Sequence, residues 1–244
     1  MPELTITVDA ATGAVLLEAP DRVPHRIRDE LTELLGPAEE VGCARPLRLL
    51  LPPLAGSEDV PDVDVEDVRA QVCVRTAGYA HNSLTDGPGR RTSVLLTGCS
   101  LGCVGCWVPH LHAAEAGALV PVGLLADAVL DPAYERDGIS ILGGEPFQQP
   151  EGLLGLVRAL RARGCRHIVA YSGYTYEQLR RLAIRKLAIG AVLDEIEVLI
   201  DGPYVQVRAA DAGPWTGSGN QRVLDLVATR HVGRVVVLDP GRPQ

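Results

Sequence analysis

The feature that most constrains the fold is a regular alternation of short apolar runs and longer amphipathic segments across residues 71–244. The apolar runs predict strands at 92–97, 139–142, 167–171, 196–200 and 234–238. The amphipathic segments predict helices at 121–130, 151–163 and 176–189. Strands that alternate with helices in this way form βαβ units around a parallel sheet. At roughly 30 residues per unit, five or six units fit, which is too few for a closed eight-fold barrel. We therefore expect an α/β fold, an open, partial parallel β/α barrel.

The first 70 residues follow a different pattern and predict a small α+β N-terminal extension. Two short apolar runs flank the turn sequence Ala11-Thr12-Gly13, as in a β-hairpin. A helix and a further strand are expected after it, at 23–35 and 48–51. Residues 55–67 are acidic and interrupted by proline and glycine, which is typical of a linker. The predicted domains are therefore 1–70, the extension with its acidic linker, and 71–244, the barrel.

Charge and hydropathy exclude several classes of function. The formal net charge is −8 and no basic face is visible, so nucleic-acid binding is not expected. No apolar run approaches the roughly 18 residues of a membrane span. The N-terminal segment lacks the basic start and apolar stretch of a signal peptide. These observations predict a cytoplasmic protein.

Three of the six cysteines, Cys99, Cys103 and Cys106, lie within eight residues of one another. In a reducing cytoplasm a close cluster of cysteines indicates metal or redox chemistry rather than disulfides. Three thiolates on one short loop can hold an iron–sulfur cluster, because soft sulfur ligands select such centres, zinc or copper. A cubane cluster held by three cysteines leaves one iron open to a substrate.

A zinc site remains open as an alternative at this point. Structural zinc takes four ligands, and His110 or His112 could supply the fourth. The protein would then be a non-catalytic, metal-binding regulatory module. The glycines next to the cysteines, such as Gly102 and Gly105, allow the loop to turn tightly in either case.

The cysteine loop and the segment Gly143-Gly144-Glu145-Pro146, one βα unit later, resemble the radical S-adenosylmethionine (SAM) superfamily. The resemblance implies that Cys99, Cys103 and Cys106 bind a [4Fe-4S] cluster. It also implies that the amino and carboxylate groups of SAM chelate the fourth iron. Two successive glycines permit close backbone approach to a ligand, and a carboxylate complements an ammonium group. The full set of residues expected to contact SAM is Gly105, Cys106, Trp107, Gly143, Gly144, Glu145 and Ser172.

Four further segments narrow the resemblance to the activating enzymes of glycyl radical enzymes, above all those of anaerobic ribonucleotide reductases. They begin at Asp86, Tyr171, Asp201 and Gly217 and read DGPGRRT, YSGYT, DGPY and GSGNQRVLD. The resemblance implies an oxidoreductase that cleaves SAM reductively to methionine and a 5′-deoxyadenosyl radical. That radical takes hydrogen from a glycine of a partner enzyme, and an electron donor such as flavodoxin or ferredoxin reduces the cluster.

Three departures from the family pattern concern the substrate. Trp107-Val108-Pro109 stands where a His or Tyr followed by Asn is common, and Thr216 stands where an Arg often precedes Gly-Ser. The N-terminal extension is absent from compact reductase activators. A radical SAM enzyme that acts on a small molecule or a peptide therefore remains the alternative enzyme hypothesis.

Overall fold

The computed structural model describes residues 72–239 in full and, before them, the backbone of three short strands. These are β1 (Thr5–Val8), β2 (Val15–Glu18) and β3 (Leu47–Arg48). They form an antiparallel sheet in the order β2-β1-β3, which confirms the hairpin expected from the sequence. The helix expected at 23–35 and the linker at 55–67 lie outside the described residues. The domain boundary near Gln71 stays a prediction.

A seven-stranded sheet dominates the described part of the chain. Its strands are β4 (Cys73–Ser83), β5 (Arg91–Leu96), β6 (Ala118–Pro121), β7 (Gly138–Gly143), β8 (Ile168–Ser172), β9 (Val198–Asp201) and β10 (Arg222–Asp225). Their spatial order is β10-β9-β8-β7-β5-β4-β6, so the sheet is not closed. The α/β class and the open sheet expected from the sequence are confirmed.

The parallel part of this sheet contains four strands, β5, β7, β8 and β9, rather than the five or six units expected. Strands β4 and β10 pair antiparallel with β5 and β9, and β6 pairs antiparallel with β4. Antiparallel strands need no helical crossover, so fewer βα units fit into the same length. The strand expected at 234–238 is reduced to one antiparallel bridge between Leu224 and Val237.

Five α-helices lie among the described residues: α1 (Val122–Val129), α2 (Pro150–Ala162), α3 (Tyr176–Ala183), α4 (Leu187–Glu195) and α5 (Leu226–Val232). Helices α1 and α2 occupy the segments predicted from the sequence. The side chain of Thr175 accepts a hydrogen bond from the Gln178 backbone at the start of α3, and Gln178 reciprocates. Among the described residues no helix is long and apolar enough to cross a bilayer.

The single helix expected at 176–189 is wrong, because the chain breaks between α3 and α4. In one continuous helix Leu179 and Val192 would point about 140° apart. Both side chains are fully buried in the same core cluster. The extended backbone of Lys186 (φ −126°, ψ 86°) turns the second helix so that both apolar faces meet the sheet. Gly190, the residue after the expected helix, lies inside α4.

Candidate functional site

The sequence motifs meet at one edge of the sheet, where the parallel strands end. The cluster loop, residues 98–107, follows β5, and Gly144-Glu145-Pro146 follows β7. The other two motifs continue from β8 at Gly173 and from β9 at Gly202. Register supports the convergence, because Leu96 lies opposite Gly143. The four segments thus come together at the edge where parallel α/β folds bind ligands.

The cluster loop is a tight glycine-rich turn that carries all three clustered cysteines. Gly98, Gly102 and Gly105 have φ values of +86°, +60° and +70°, a region in which other residues are strained. The amide of Cys106 donates a hydrogen bond to the Cys103 carbonyl at 3.2 Å. All three thiols are free of disulfides and partly exposed. The loop therefore presents three sulfur ligands to the surface.

The Cys99 thiol lies near three other acidic groups, the side chains of Glu145, Cys103 and Cys106. Burial is the main cause that raises the pKa of this thiol. Glu145, Cys103 and Cys106 raise the pKa further by repulsion, whereas a hydrogen bond with the Leu101 backbone lowers it. A cation or a metal centre bound here would reverse this balance and favour the thiolate.

The two glycines at the end of β7, Gly143 and Gly144, are required by a close approach to the end of β5 and to the start of the cluster loop. The amide of Gly144 donates to the Leu96 carbonyl at 2.8 Å, and the amide of Glu145 donates to the Gly98 carbonyl at 2.9 Å. A Cβ atom on Gly144 would lie 2.6 Å from the Gly98 carbonyl oxygen. A Cβ atom on Gly143 would meet the Leu96 carbonyl oxygen even more closely. Backbone cannot move aside as a flexible side chain can, so both positions need glycine.

Glu145 is completely buried, with an exposed fraction of 0%. Its Oε1 accepts hydrogen bonds from the Ser172 hydroxyl at 2.9 Å and the Phe147 amide at 3.1 Å. Its Oε2 accepts from the Gly173 amide at 2.7 Å. Burial raises the pKa of Glu145 to about 7, and the three hydrogen bonds oppose that shift. The carboxylate therefore joins the end of β7 to the end of β8.

Gln148 is a site residue that the sequence analysis missed. Its Nε2 donates to the Ser100 hydroxyl at 2.8 Å and to the Tyr174 hydroxyl at 3.1 Å, while its Oε1 accepts from the Ser100 amide at 3.1 Å. One side chain thus joins the cluster loop, the segment after β7 and the segment after β8. The only signal in the sequence is a pair of glutamines at 148–149, separated by one residue from the motif at 143–146.

The buried Asp201 forms an ion pair with the partly exposed Arg222 next to the segment that follows β9. Asp201 is fully buried and accepts hydrogen bonds from the Arg222 guanidinium at 2.9 Å and the Tyr176 amide at 2.6 Å. Arg222 also pairs with Glu177, and these two carboxylates raise the pKa of Arg222 above its ordinary value. These side chains are committed to one another, so they fix β9, β10 and the start of α3.

Comparison with known proteins identifies the family to which this site belongs. A family model described as "4Fe-4S single cluster domain" matches residues 85–224. The anaerobic ribonucleoside-triphosphate reductase-activating protein of Escherichia coli (strain K12) is 30% identical over 155 residues, 61% of this chain and 96% of the relative. The protein of that name from Haemophilus influenzae is 29% identical over 150 residues, 59% of this chain and 92% of the relative. The one from enterobacteria phage T4 is 29% identical over 143 residues, 57% of this chain and 85% of the relative.

The chain belongs to the family of anaerobic ribonucleoside-triphosphate reductase-activating proteins. Its domain is a 4Fe-4S domain, which favours the iron–sulfur interpretation of the cysteines over the zinc alternative. The resemblance to this group of activating enzymes, expected from the motifs, is confirmed. Residues 1–84 precede the matched region.

The residues of this activase-family site fit an iron–sulfur cluster because their metal-ligating atoms are thiol sulfurs. Three thiols stand on one loop, and soft sulfur ligands are those that such clusters take. Within residues 72–239, no three His, Cys, Asp or Glu side chains are arranged around a single metal position. A [4Fe-4S] cluster distributes its cysteines over separate irons, so the number and kind of the donors carry the fit.

The other residues expected to contact SAM lie around this activase-family cluster loop in different environments. Trp107 follows Cys106 directly, and 73% of its surface is exposed. Ser172 is buried and is held by Glu145. Gly143 packs on the backbone of Leu96 at the end of β5, and Gly144 packs on the backbone of Gly98 in the cluster loop. Of the two candidate zinc ligands, His110 is exposed and His112 is half-buried.

Proposed function

We propose that this protein activates an anaerobic ribonucleotide reductase by generating a glycyl radical on it. The observation that supports this most directly is the loop of three partly exposed thiols, held at the sheet edge by the other motifs of the family. When bound, a [4Fe-4S] cluster and SAM supply a one-electron reductive cleavage that yields methionine and a hydrogen-abstracting 5′-deoxyadenosyl radical.

In this proposal Cys99, Cys103 and Cys106 hold the cluster. The partial exposure of all three thiols leaves room for a cluster at the surface and for an approaching cofactor. The segment after β7 lies against the loop through Gly144, and its backbone meets the methionine part of SAM. Because Glu145 is enclosed, its carboxylate acts here by fixing the geometry of that segment and of Ser172.

The remaining SAM contacts come from the residues around the last cysteine. The backbone of Gly105, Cys106 and Trp107 flanks the cofactor in this proposal. Trp107 is exposed at the mouth of the site, next to a proposed cluster ligand. Gly105 has a φ of +70°, a conformation that glycine adopts without strain and that suits the tight turn before the last cysteine.

The partners in this proposal are a glycyl radical enzyme and an electron donor such as flavodoxin or ferredoxin. The relatives are named as activating proteins of an anaerobic ribonucleoside-triphosphate reductase, which supports the identity of the substrate. A cluster with a partly exposed loop needs a reducing cytoplasm. We further propose that the sheet curls as a partial barrel from residue 71 onward, and that residues 1–70 form a separate extension.

The experiment that tests this function is a product assay under anaerobic conditions. Reconstituted protein is mixed with dithionite and SAM, and 5′-deoxyadenosine is quantified. The expected result is product formation by the wild type and by a Cys165→Ala control, and none by Cys103→Ala. Cys165 is a suitable control because it is buried in the hydrophobic core. Equal product from the Cys103→Ala variant, or zinc in place of iron and sulfide, would contradict the proposal.

A further inference from the structure

The segment that follows β9 lies directly alongside the last cysteine of the cluster loop. The indole Nε1 of Trp107 donates a hydrogen bond to the Tyr204 hydroxyl at 3.1 Å. The two rings meet edge to face, with centroids 6.0 Å apart and an interplanar angle of 66°. This geometry is favourable for aromatic pairs. The contact joins residues that are 97 positions apart in the chain.

A second contact shows how the two segments are aligned. A Cβ atom on Gly105 would lie 2.5 Å from the side-chain Cδ of Gln206, so the Gln206 amide lies against Gly105 at the surface. Gly105 thus faces Gln206, while Trp107 faces Tyr204. The two residues that flank Cys106 are therefore both contacted from outside the loop, by residues 204–207, which we call the brace segment.

The brace segment is itself anchored by the motif that begins at Gly217. The side-chain Oε1 of Gln221 accepts hydrogen bonds from the amides of Gly217 at 2.7 Å and Ser218 at 3.2 Å. Its Nε2 donates to the Gly202 carbonyl at 2.9 Å. Gln221 therefore closes the loop at 217–221 and ties it to the end of β9.

Two more side chains of that motif hold the backbone on both sides of Tyr204. The Ser218 hydroxyl accepts from the Val205 amide at 3.1 Å, and the Asn220 side chain donates to the Pro203 carbonyl at 2.7 Å. The residues before and after Tyr204 are thus fixed to one anchored loop. The anchored loop therefore restricts the movement of the backbone that carries the Tyr204 side chain.

We infer that Tyr204 and Gln206 are positioning residues for the cluster, acting through Trp107 and Gly105 on either side of Cys106. The inference rests on the proposed function, because it takes Cys106 as a cluster ligand. It also gives the motifs at 201–204 and 217–225 a role: they build and anchor the brace segment. The cluster loop is then held from two sides, by Gln148 at Ser100 and by Tyr204 at Trp107.

The test is a double-variant cycle on Trp107 and Tyr204, in which properties of the bound cluster are measured. Tyr204→Phe, Trp107→Phe and the double variant are reconstituted anaerobically, together with a Tyr134→Phe control. Tyr134 stacks on His81 and belongs to neither the cluster loop nor the brace segment. The readouts are the rate of iron loss to a chelator and the electron paramagnetic resonance spectrum of the reduced cluster.

We expect Tyr204→Phe to lose iron about fivefold faster than the wild type, since one hydrogen bond that closes the loop is removed. Trp107→Phe should show a similar rate, and the double variant should be no faster than either single variant, because all three lack the same contact. The spectrum should change in these three proteins and stay unchanged in Tyr134→Phe. The thermal unfolding of the apo-protein should be the same in Tyr204→Phe and Tyr134→Phe.

Two results would overturn the inference. One is a stable wild-type cluster with an unaltered spectrum and rate of iron loss in Tyr204→Phe. The other is a pair of single effects that multiply in the double variant, since independent effects do not arise from one contact. A wild type that took up no iron–sulfur cluster would instead contradict the proposed function, and this inference with it.

Discussion

The cluster loop and the segment after β7 adjoin each other, yet their polar side chains differ in exposure and in hydrogen bonding. The three cysteines of the loop are partly exposed and free. Glu145, by contrast, is completely buried and receives three hydrogen bonds from the protein. Under the proposed function this difference separates two tasks, because the accessible cysteines hold the cluster and the enclosed Glu145 shapes their surroundings. Four changes test this division, from the largest expected effect to the smallest.

Removal of a cluster ligand should have the largest effect. Replacing Cys99, Cys103 or Cys106 with Ala should lower bound iron and 5′-deoxyadenosine formation by at least about 100-fold, more than the loss of an outer partner of a metal ligand costs. Iron analysis and the product assay measure the two effects. The Cys165→Ala control should keep its cluster. A single cysteine variant with full iron content would contradict the role of the exposed cysteines as cluster ligands.

A side chain at Gly144 should disturb both regions at once. Gly144→Val places carbon atoms against the Gly98 carbonyl, beside the first cysteine, and we expect a loss of about 3 kcal/mol in the free energy of unfolding together with a loss of cluster. Gly190→Ala is the matched control, because the added Cβ would only reach ordinary contact with Ala183. Denaturant unfolding and iron analysis measure the outcome. A Gly144→Val protein as stable as Gly190→Ala would contradict the packing of the two regions.

The buried carboxylate predicts a specific pH dependence of stability. The pKa of Glu145 is raised from 4.5 to about 7 in the folded protein, so the folded chain binds more protons than the unfolded chain between these pH values. The contribution of this group is full below pH 4.5, falls as the pH rises and is lost above pH 7. The fall amounts to about 3 kcal/mol over that range.

Urea unfolding of the apo-protein between pH 4.5 and 7.5 measures this slope. Glu145→Gln should remove the fall, because the amide does not titrate. The exposed Glu151→Gln variant should retain it. The same slope of unfolding free energy against pH in the wild type and in Glu145→Gln would contradict the enclosed environment of the carboxylate.

Loss of the amide link at Gln148 should have the smallest effect. Gln148→Ala removes the hydrogen bonds to Ser100 and Tyr174, and we expect a cost of about 1 kcal/mol, or about fivefold in the rate of iron loss. Iron release to a chelator is the measurement. Gln178→Ala, which removes only a helix cap, is the control and should leave iron release unchanged. Equal rates in the two variants would remove Gln148 from the contacts that hold the cluster loop.

The sequence was most informative where a residue type is dictated by local backbone or by ligand chemistry. Glycines next to three closely spaced cysteines identified the cluster loop, and the alternation of apolar runs with amphipathic segments predicted the open α/β sheet. Helices α1 and α2 followed from their amphipathic patterns. These features depend on neighbours in the chain, so one sequence is enough to find them.

Features that depend on distant contacts could not be predicted in this way. The break between α3 and α4 follows from the need of Leu179 and Val192 to face the same sheet. The antiparallel course of β4, β6 and β10 is set by pairing with neighbours, which local hydropathy does not encode. Gln148 gains its role only because the fold brings Ser100 and Tyr174 to it.

The central claim is that this chain generates a glycyl radical on an anaerobic ribonucleotide reductase. The most direct measurement mixes the reconstituted, reduced protein with SAM and an anaerobic ribonucleotide reductase, and records the electron paramagnetic resonance spectrum of the reductase. The account predicts a glycyl radical signal with the wild type and no signal with Cys103→Ala. Cleavage of SAM without a radical on the reductase would contradict the claim and favour a small-molecule or peptide substrate.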